Sequence, residues 1–258
     1  MSVHKVVIRL DFARACFTLL DKVGSICDKI ADIPDPKGDS EQRFFQQIQE
    51  SANIRVYSGQ RKTGDESEYV LLQLGPSFLA CHWEIAEGIR FEDFGRDERV
   101  QRLLRFAYEL LTDLKITKFA RAGVRFHCLE GFAPDRNVDA ISKKIDEQLL
   151  TTISAAVGKP NDFAFSMNGK GEDDLLYRLS FGPYFPANES LQFFGNVAAA
   201  MKSREGDSLY FDLDIYEEQV TLHVNPSKWA QPAVDKAKRL VKGIVESLGT
   251  EQRYGNVT

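Results

Sequence analysis

IRVYSGQRKTGDESEYVLLQLGPSFLA, residues 54–80, sets against NDFAFSMNGKGEDDLLYRLSFGPYFPA, residues 161–187, without a gap at an offset of 107. Gly64 falls on Gly171, Leu72 on Leu179 and Gly75-Pro76 on Gly182-Pro183. Phe78 falls on Phe185 and Ala80 on Ala187, and both copies keep an acidic tip, Gly64-Asp65-Glu66 over Gly171-Glu172-Asp173. Each copy reads as strand, polar turn, strand and Gly-Pro break. Upstream, Val7-Ile8-Arg9-Leu10-Asp11-Phe12 parallels Gly123-Val124-Arg125-Phe126-His127-Cys128, with an Arg at the same place in each run. Downstream, residues 79–87 parallel residues 209–217 if the second copy carries an insertion near 188–208, with a helical pattern over 191–201. Three matches in the same order point to an internal duplication.

Working outward, each unit reads β-α-β-β-β-α. Residues 1–117 form the first unit and residues 118–258 the second. The first predicts a strand over 4–12 and helices over 13–31 and 40–52, parted by the Pro-Asp-Pro breaker at 34–36. Strands over 54–59, 68–75 and 78–87 follow, then a helix over 96–114. The second predicts a strand over 118–129, a helix over 137–156, strands over 162–167, 174–182 and 208–217, and a closing helix over 228–248. Leu104, Ala107, Leu110, Leu111 and Leu114, and later Val234, Ala237, Val241 and Ile244, recur at the spacing of a buried helix face. Short polar turns favour antiparallel pairing. The expected fold is α+β: mainly antiparallel sheets with helices on one face and a pseudo-two-fold relation between units.

Composition narrows the function. Lys+Arg 33 against Asp+Glu 38 leaves a net charge of −5, against the cationic surplus of a protein that coats nucleic acid. No apolar run reaches the ~20 residues of a spanning helix, so no membrane role is expected. The four cysteines, Cys16, Cys27, Cys81 and Cys128, are scattered in apolar contexts, like small buried hydrophobes of a reducing cytoplasm. Phe supplies 18 residues against 8 Tyr and 2 Trp, a surplus that suits the packing of two related sheets and, second to that, an apolar groove.

Chemistry-bearing residues are few. Asp212 and Asp214 stand two apart on a strand, so both carboxylates share a face on which a divalent metal would sit. The bland alternative is the solvated face of a half-buried strand, and no Gly-rich phosphate loop accompanies them. Arg9 and Arg125 interrupt apolar runs, and an Arg there needs a carboxylate; Glu84 and Asp214 on other strands are the candidates. These four form the expected binding set, with an ion pair that fixes strand register as the structural alternative. Cys81-His82 and His127-Cys128 lack zinc spacing, because neighbours on a strand face opposite ways. His4 carries no signal. Arg96, Arg99, Arg102 and Arg105 recur on one helix and Lys236, Arg239 and Lys242 on another. Each stripe reads as a solvated helix face or as a local patch for nucleic acid or an acidic partner.

The run Arg121-Ala122-Gly123-Val124-Arg125-Phe126 resembles the R-x-G-(L/V)-R-(Y/F) strand of a sporadically distributed bacterial family of about this length. Asp212-Leu213-Asp214-Ile215 is similar to its D-(I/L)-D-(V/I) strand, which precedes an amphipathic C-terminal helix. The family's usual Asn after its Arg-Tyr pair is His127 here. That family has no assigned biochemical activity, so the resemblance implies a fold unit and no catalytic residue. A patchy distribution of this kind accompanies mobile or defence loci.

The reading is therefore a cytoplasmic, non-enzymatic binding or assembly protein that works through a surface or an inter-unit groove. No cofactor is expected, and the expected partner is a protein or a second copy of the chain. One alternative is a metal-dependent enzyme on nucleotide or nucleic acid through Asp212 and Asp214. Another is a nucleic-acid binder built like the duplicated TATA-box-binding saddle, by analogy of fold alone.

Overall fold

A computed structural model describes residues 1–31, 47–51, 54–63, 66–94, 98–131, 143, 147, 164–171, 173–184, 208–221 and 226–247. The chain is α+β, and the nine strands among the described residues form one sheet. In chain order the strands are β1 (Ser2–Phe12), β2 (Gln47–Ser51), β3 (Ile54–Thr63), β4 (Glu66–Gly75), β5 (Phe78–Arg90), β6 (Lys118–Gly131), β7 (Phe165–Lys170), β8 (Leu176–Pro183) and β9 (Ser208–Thr221). The helices are α1 (Thr18–Asp21), α2 (Val23–Ala31), α3 (Phe91–Phe94), α4 (Glu98–Asp113) and α5 (Pro226–Ser247). Across the sheet the order is β2-β3-β4-β5-β1-β6-β9-β8-β7, and every neighbouring pair is antiparallel.

Strand periodicity explains which side chains meet. On β1, Val6, Ile8, Leu10 and Phe12 are buried, while the alternate Lys5, Val7, Arg9 and Asp11 face the other way. Cys81, Trp83, Val124, Phe126, Leu213 and Ile215 continue the buried layer on β5, β6 and β9. Leu104, Ala107, Leu110 and Leu111 of α4 join the same core, as do Val234, Ala237 and Val241 of α5. Phe165, Phe181 and Phe211 fall in one cross-strand row, with ring centroids 5.3 and 5.8 Å apart along it. The phenylalanines of the described strands thus act chiefly as packing between neighbours.

Two expectations change. The helix predicted over 40–52 ends in a strand: Gln47–Ser51 pairs with β3, because an open sheet edge offers its backbone five partnered residues where helix propensity is only a weak prior. The gap-free alignment does not survive in the hairpins. β3 and β4 close at Thr63↔Glu66, but β7 and β8 close at Lys170↔Leu176, a loop three residues wider. The insertion at 188–207, like the helix predicted over 137–156 apart from Lys143 and Glu147, lies outside the described residues.

At one point the β1 ladder shifts. Pairing with both β5 and β6 slips between Val3 and Lys5, which turns His4 inward until it is fully buried. His4 Nδ1 donates to the carbonyls of Ile85 and Ala86 at 3.1 and 3.0 Å, and Nε2 lies 2.7 Å from Ser2 Oγ. The ring occupies the space beside Gly88, whose φ of +74° and missing Cβ both matter: a Cβ would sit 2.7 Å from His4 Cε1.

Candidate functional site

The ladders place the outward side chains of the central strands in rows. One row runs Glu84, Lys5, His127, Asp212 across β5, β1, β6 and β9. The next runs His82, Val7, Arg125, Asp214 and then Arg178 on β8. Beyond it come Ala80, Arg9, Gly123 and Tyr216, and then Phe78, Asp11 and Arg121. Together these rows line a concavity of about 460 Å³ over the junction of β1 with β6. Its lining holds five cationic side chains, Lys5, Arg9, Arg121, Arg125 and Arg178, and two carboxylates, Asp11 and Asp214.

Each carboxylate on this face is taken by a particular cation. Arg125 Nε and Nη2 grip Asp212 Oδ1 and Oδ2 at 2.7 and 2.5 Å in a bidentate fork. That hydrogen bond holds the Arg125 guanidinium above its usual pKa range. Arg121 Nη2 reaches both oxygens of Asp214 at 2.7 and 2.6 Å. Lys5 pairs with Glu84 at 2.8 Å and Arg9 Nε with Asp11 at 2.9 Å. The four residues expected as a binding set do come to one face, but with different partners. Arg125 lies directly opposite Asp214 in the ladder and still reaches diagonally to Asp212, while Asp214 turns to Arg121. Arg9 finds Asp11 on its own strand, and Glu84 finds Lys5. Neither Arg9 nor Arg125 pairs with Glu84: Lys5 stands directly opposite it on β1, with Arg9 four residues further along that strand and Arg125 one strand beyond.

Aromatic rings sit under two of the guanidinia. Arg121 Cζ lies 4.3 Å from the Tyr216 ring centre, with Arg178 5.9 Å from the same ring. Arg9 caps Phe78 at 4.8 Å. Gly123 makes this possible, since a Cβ there would stand 2.9 Å from Tyr216 Cβ and 3.4 Å from Arg121 Cζ.

Two imidazoles border the concavity and stay neutral. Burial pushes His127 down to about 3 against the pull of Asp212, and Arg125, Lys5 and His82 push the same way. Burial, with Lys5 and Arg9, pushes His82 down to about 4. The flanking thiols are inert. Burial raises Cys81 to about 12 and Cys128 well above its ordinary value. Asp212 and Asp214 are thus guanidinium ligands, and no cluster of three or more His, Cys, Asp or Glu among the described residues is set to hold a metal.

The helix stripes need correction. Lys236 is not part of a solvated face: it is 5% exposed and donates to Asp173 at 2.6 Å and to the Leu175 carbonyl at 3.0 Å. Its position three residues after Ala233 and one before Ala237 places it on the buried side of α5. Arg239 joins the same Asp173 at 3.0 Å and Lys242 pairs with Glu246 at 3.4 Å. Arg105 is exposed on α4, whereas Arg96 and the side chains of Arg99 and Arg102 lie outside the described residues. Sequence reading missed Lys5, Arg121 and Arg178 as members of the site. For Lys5 and Arg121 the signal was parity, since they share strand and face with Arg9 and Arg125, whereas Arg178 on β8 joins them only through the ladder.

No helix of the described structure is long and apolar enough to cross a membrane. Compared with protein-family models, with curated proteins and with solved structures, the chain finds no match.

Proposed function

We propose that the chain is a non-enzymatic binding protein that docks an acidic segment of a partner protein on the open face where β1 meets β6. The observation that carries this reading is the concavity itself. Five cationic side chains are collected on the outward face of the central strands, and the neighbouring carboxylates Asp212 and Asp214 orient guanidinia there. Such held guanidinia are ready to receive further carboxylates, and a pocket of this size accommodates a few side chains.

The finer architecture belongs to the same reading. The seam is the junction of two related β-α-β-β-β-α units, with boundary near 117, each facing the partner with its outer sheet surface while helices cover the opposite one. Supporting this, strand neighbours mirror each other about the seam: β5, β4 and β3 on one side, β9, β8 and β7 on the other. A cytoplasmic location, in a bacterial mobile or defence locus, fits the free thiols of Cys16, Cys81 and Cys128. Self-association through this face is the second form the docking takes, with a second copy supplying the acidic segment.

The test is fluorescence anisotropy with labelled deca-glutamate and deca-lysine. Salt-sensitive binding of deca-glutamate, abolished by Arg178→Glu and Arg9→Glu with the fold intact by circular dichroism, is the expected result. Equal binding of deca-lysine, or no binding of deca-glutamate at low ionic strength, overturns the proposal.

A further inference from the structure

Arg125, Arg9 and Arg178 stand on three different strands around the Gly123 floor. Arg125 spends Nε and one Nη2 hydrogen on Asp212, and its Nη1 has no partner among the described residues. Arg9 spends only Nε, on Asp11, and keeps both terminal nitrogens. Arg178 forms no ion pair among the described residues and lies 5.9 Å from the Tyr216 ring centre. Arg125 and Arg9 are 44% and 48% exposed, and Arg178 is exposed. Asp212, by contrast, is 10% exposed, so the resident carboxylate sits beneath its guanidinium and not in front of it. At Arg125 the arrangement is layered, carboxylate below and guanidinium above, and all three guanidinia line the concavity with N–H groups to spare.

We propose that Arg9, Arg125 and Arg178 form a subsite for a phosphoryl group on a side chain of the partner protein, an inference that rests on the docking role proposed above. The unused donors come from three directions. A carboxylate carries a single charge and its acceptor sites lie in one plane, so donors that converge from outside that plane meet it poorly. A phosphate monoester presents three oxygens and nearly two charges, and so engages all three. The row geometry suits it, with Arg125 and Arg178 facing each other across Asp214 at two strand spacings, roughly 10 Å between Cα atoms, within reach of a shared guest for two long side chains. A protein source is favoured over nucleic acid by the rings. Tyr216 and Phe78, the rings beside the concavity, are already capped by Arg121 and Arg9, so neither offers a base an open stacking surface. The net charge of −5 points the same way.

The experiment is calorimetric titration of the intact chain with the blocked peptide Gly-Ala-pSer-Ala-Gly and with its Ser and Asp counterparts. Inorganic phosphate and an eight-nucleotide thymidylate serve as competitors. The phosphopeptide is expected to bind about ten-fold more tightly than the Asp peptide, and the Ser peptide not at all. Arg178→Gln, an exposed change outside every ion pair of the described residues, weakens phosphopeptide binding about five-fold or more with unfolding temperature unchanged, and Arg9→Gln does likewise. Deca-glutamate binding without preference for phosphopeptide over Asp peptide overturns the phosphoryl subsite and leaves the docking surface standing. Failure of both ligands overturns both. Indifference to Arg178→Gln and Arg9→Gln overturns the subsite, as does thymidylate binding more tightly than the phosphopeptide, which would assign the face to nucleic acid.

Discussion

Gly88 and His4 act as one device. The glycine supplies a left-handed backbone and an empty Cβ position, and the imidazole fills that space while bonding two carbonyls. Gly88→Ala should therefore combine backbone strain with a clash and cost roughly 2–4 kcal/mol in denaturant unfolding. A variant as stable as the parent would sever the link between glycine and histidine. His127 gives a second expectation. Its folded pKa of about 3 lies below the ordinary 6.5, so below pH 6.5 the unfolded chain takes up a proton that the folded one refuses. The stability tied to His127 is complete above pH 6.5 and declines as pH falls toward 3. It amounts to about 2 kcal/mol between pH 6.5 and about 5, before carboxylates titrate. His82, depressed by the same burial, adds a similar slope, so His127→Gln should remove about half of the dependence measured by urea unfolding across that range. Gly88 and His4 were not legible as special in the sequence. A lone histidine carries no pattern, and its burial is decided by a ladder slip that local composition does not record.

Among the described elements, the hairpin β7–β8 is tied to α5 by charge. The Lys236 ammonium occupies the space beside Gly171, where a Cβ would come within 1.9 Å of Nζ. It binds Asp173, whose carboxyl it holds below the usual range, and the Leu175 carbonyl inside the same loop. The wider tip thus contributes Asp173 and the Leu175 carbonyl to a cation from α5. Lys236→Met should cost about 2–4 kcal/mol by leaving the loop acceptors unsatisfied. Gly171→Ala should cost a similar amount by displacing the ammonium. Because both remove one interaction, the double variant should be little worse than either alone, and full additivity in a double-mutant cycle would sink the account. Most elements were readable from hydrophobic period, including β1, β4, β5, β6, β9, α4 and the extent of α5. The exception within reach was β2, where Gln47–Ser51 has no strong strand composition and is held by its neighbour.

At the scale of the whole molecule, the β1–β6 ladder joins the two halves, running from Ser2↔Leu129 to Phe12↔Phe119. If the halves are copies of one unit, pieces comprising residues 1–117 and 118–258 should re-form the native assembly when co-expressed, since each keeps its own strand neighbours and only the seam must be restored. Co-purification with a native-like far- and near-ultraviolet circular dichroism spectrum is the expected result, and two pieces that stay apart or aggregate would count against independent units. The sequence by itself determined the α+β class, the alternation that splits each strand into an apolar and a polar face, and the presence of Arg9, Arg125, Glu84 and Asp214 on the polar one. Those properties follow from period and parity along a single strand, which are local. Only the tertiary structure decided which cation holds which carboxylate, that Lys236 is buried, and that Lys5, Arg121 and Arg178 complete the face. Partner choice depends on register between strands as far apart in the chain as β1 and β6 or β8 and β9, and on a diagonal reach of about one residue pair, and neither is written in any one segment.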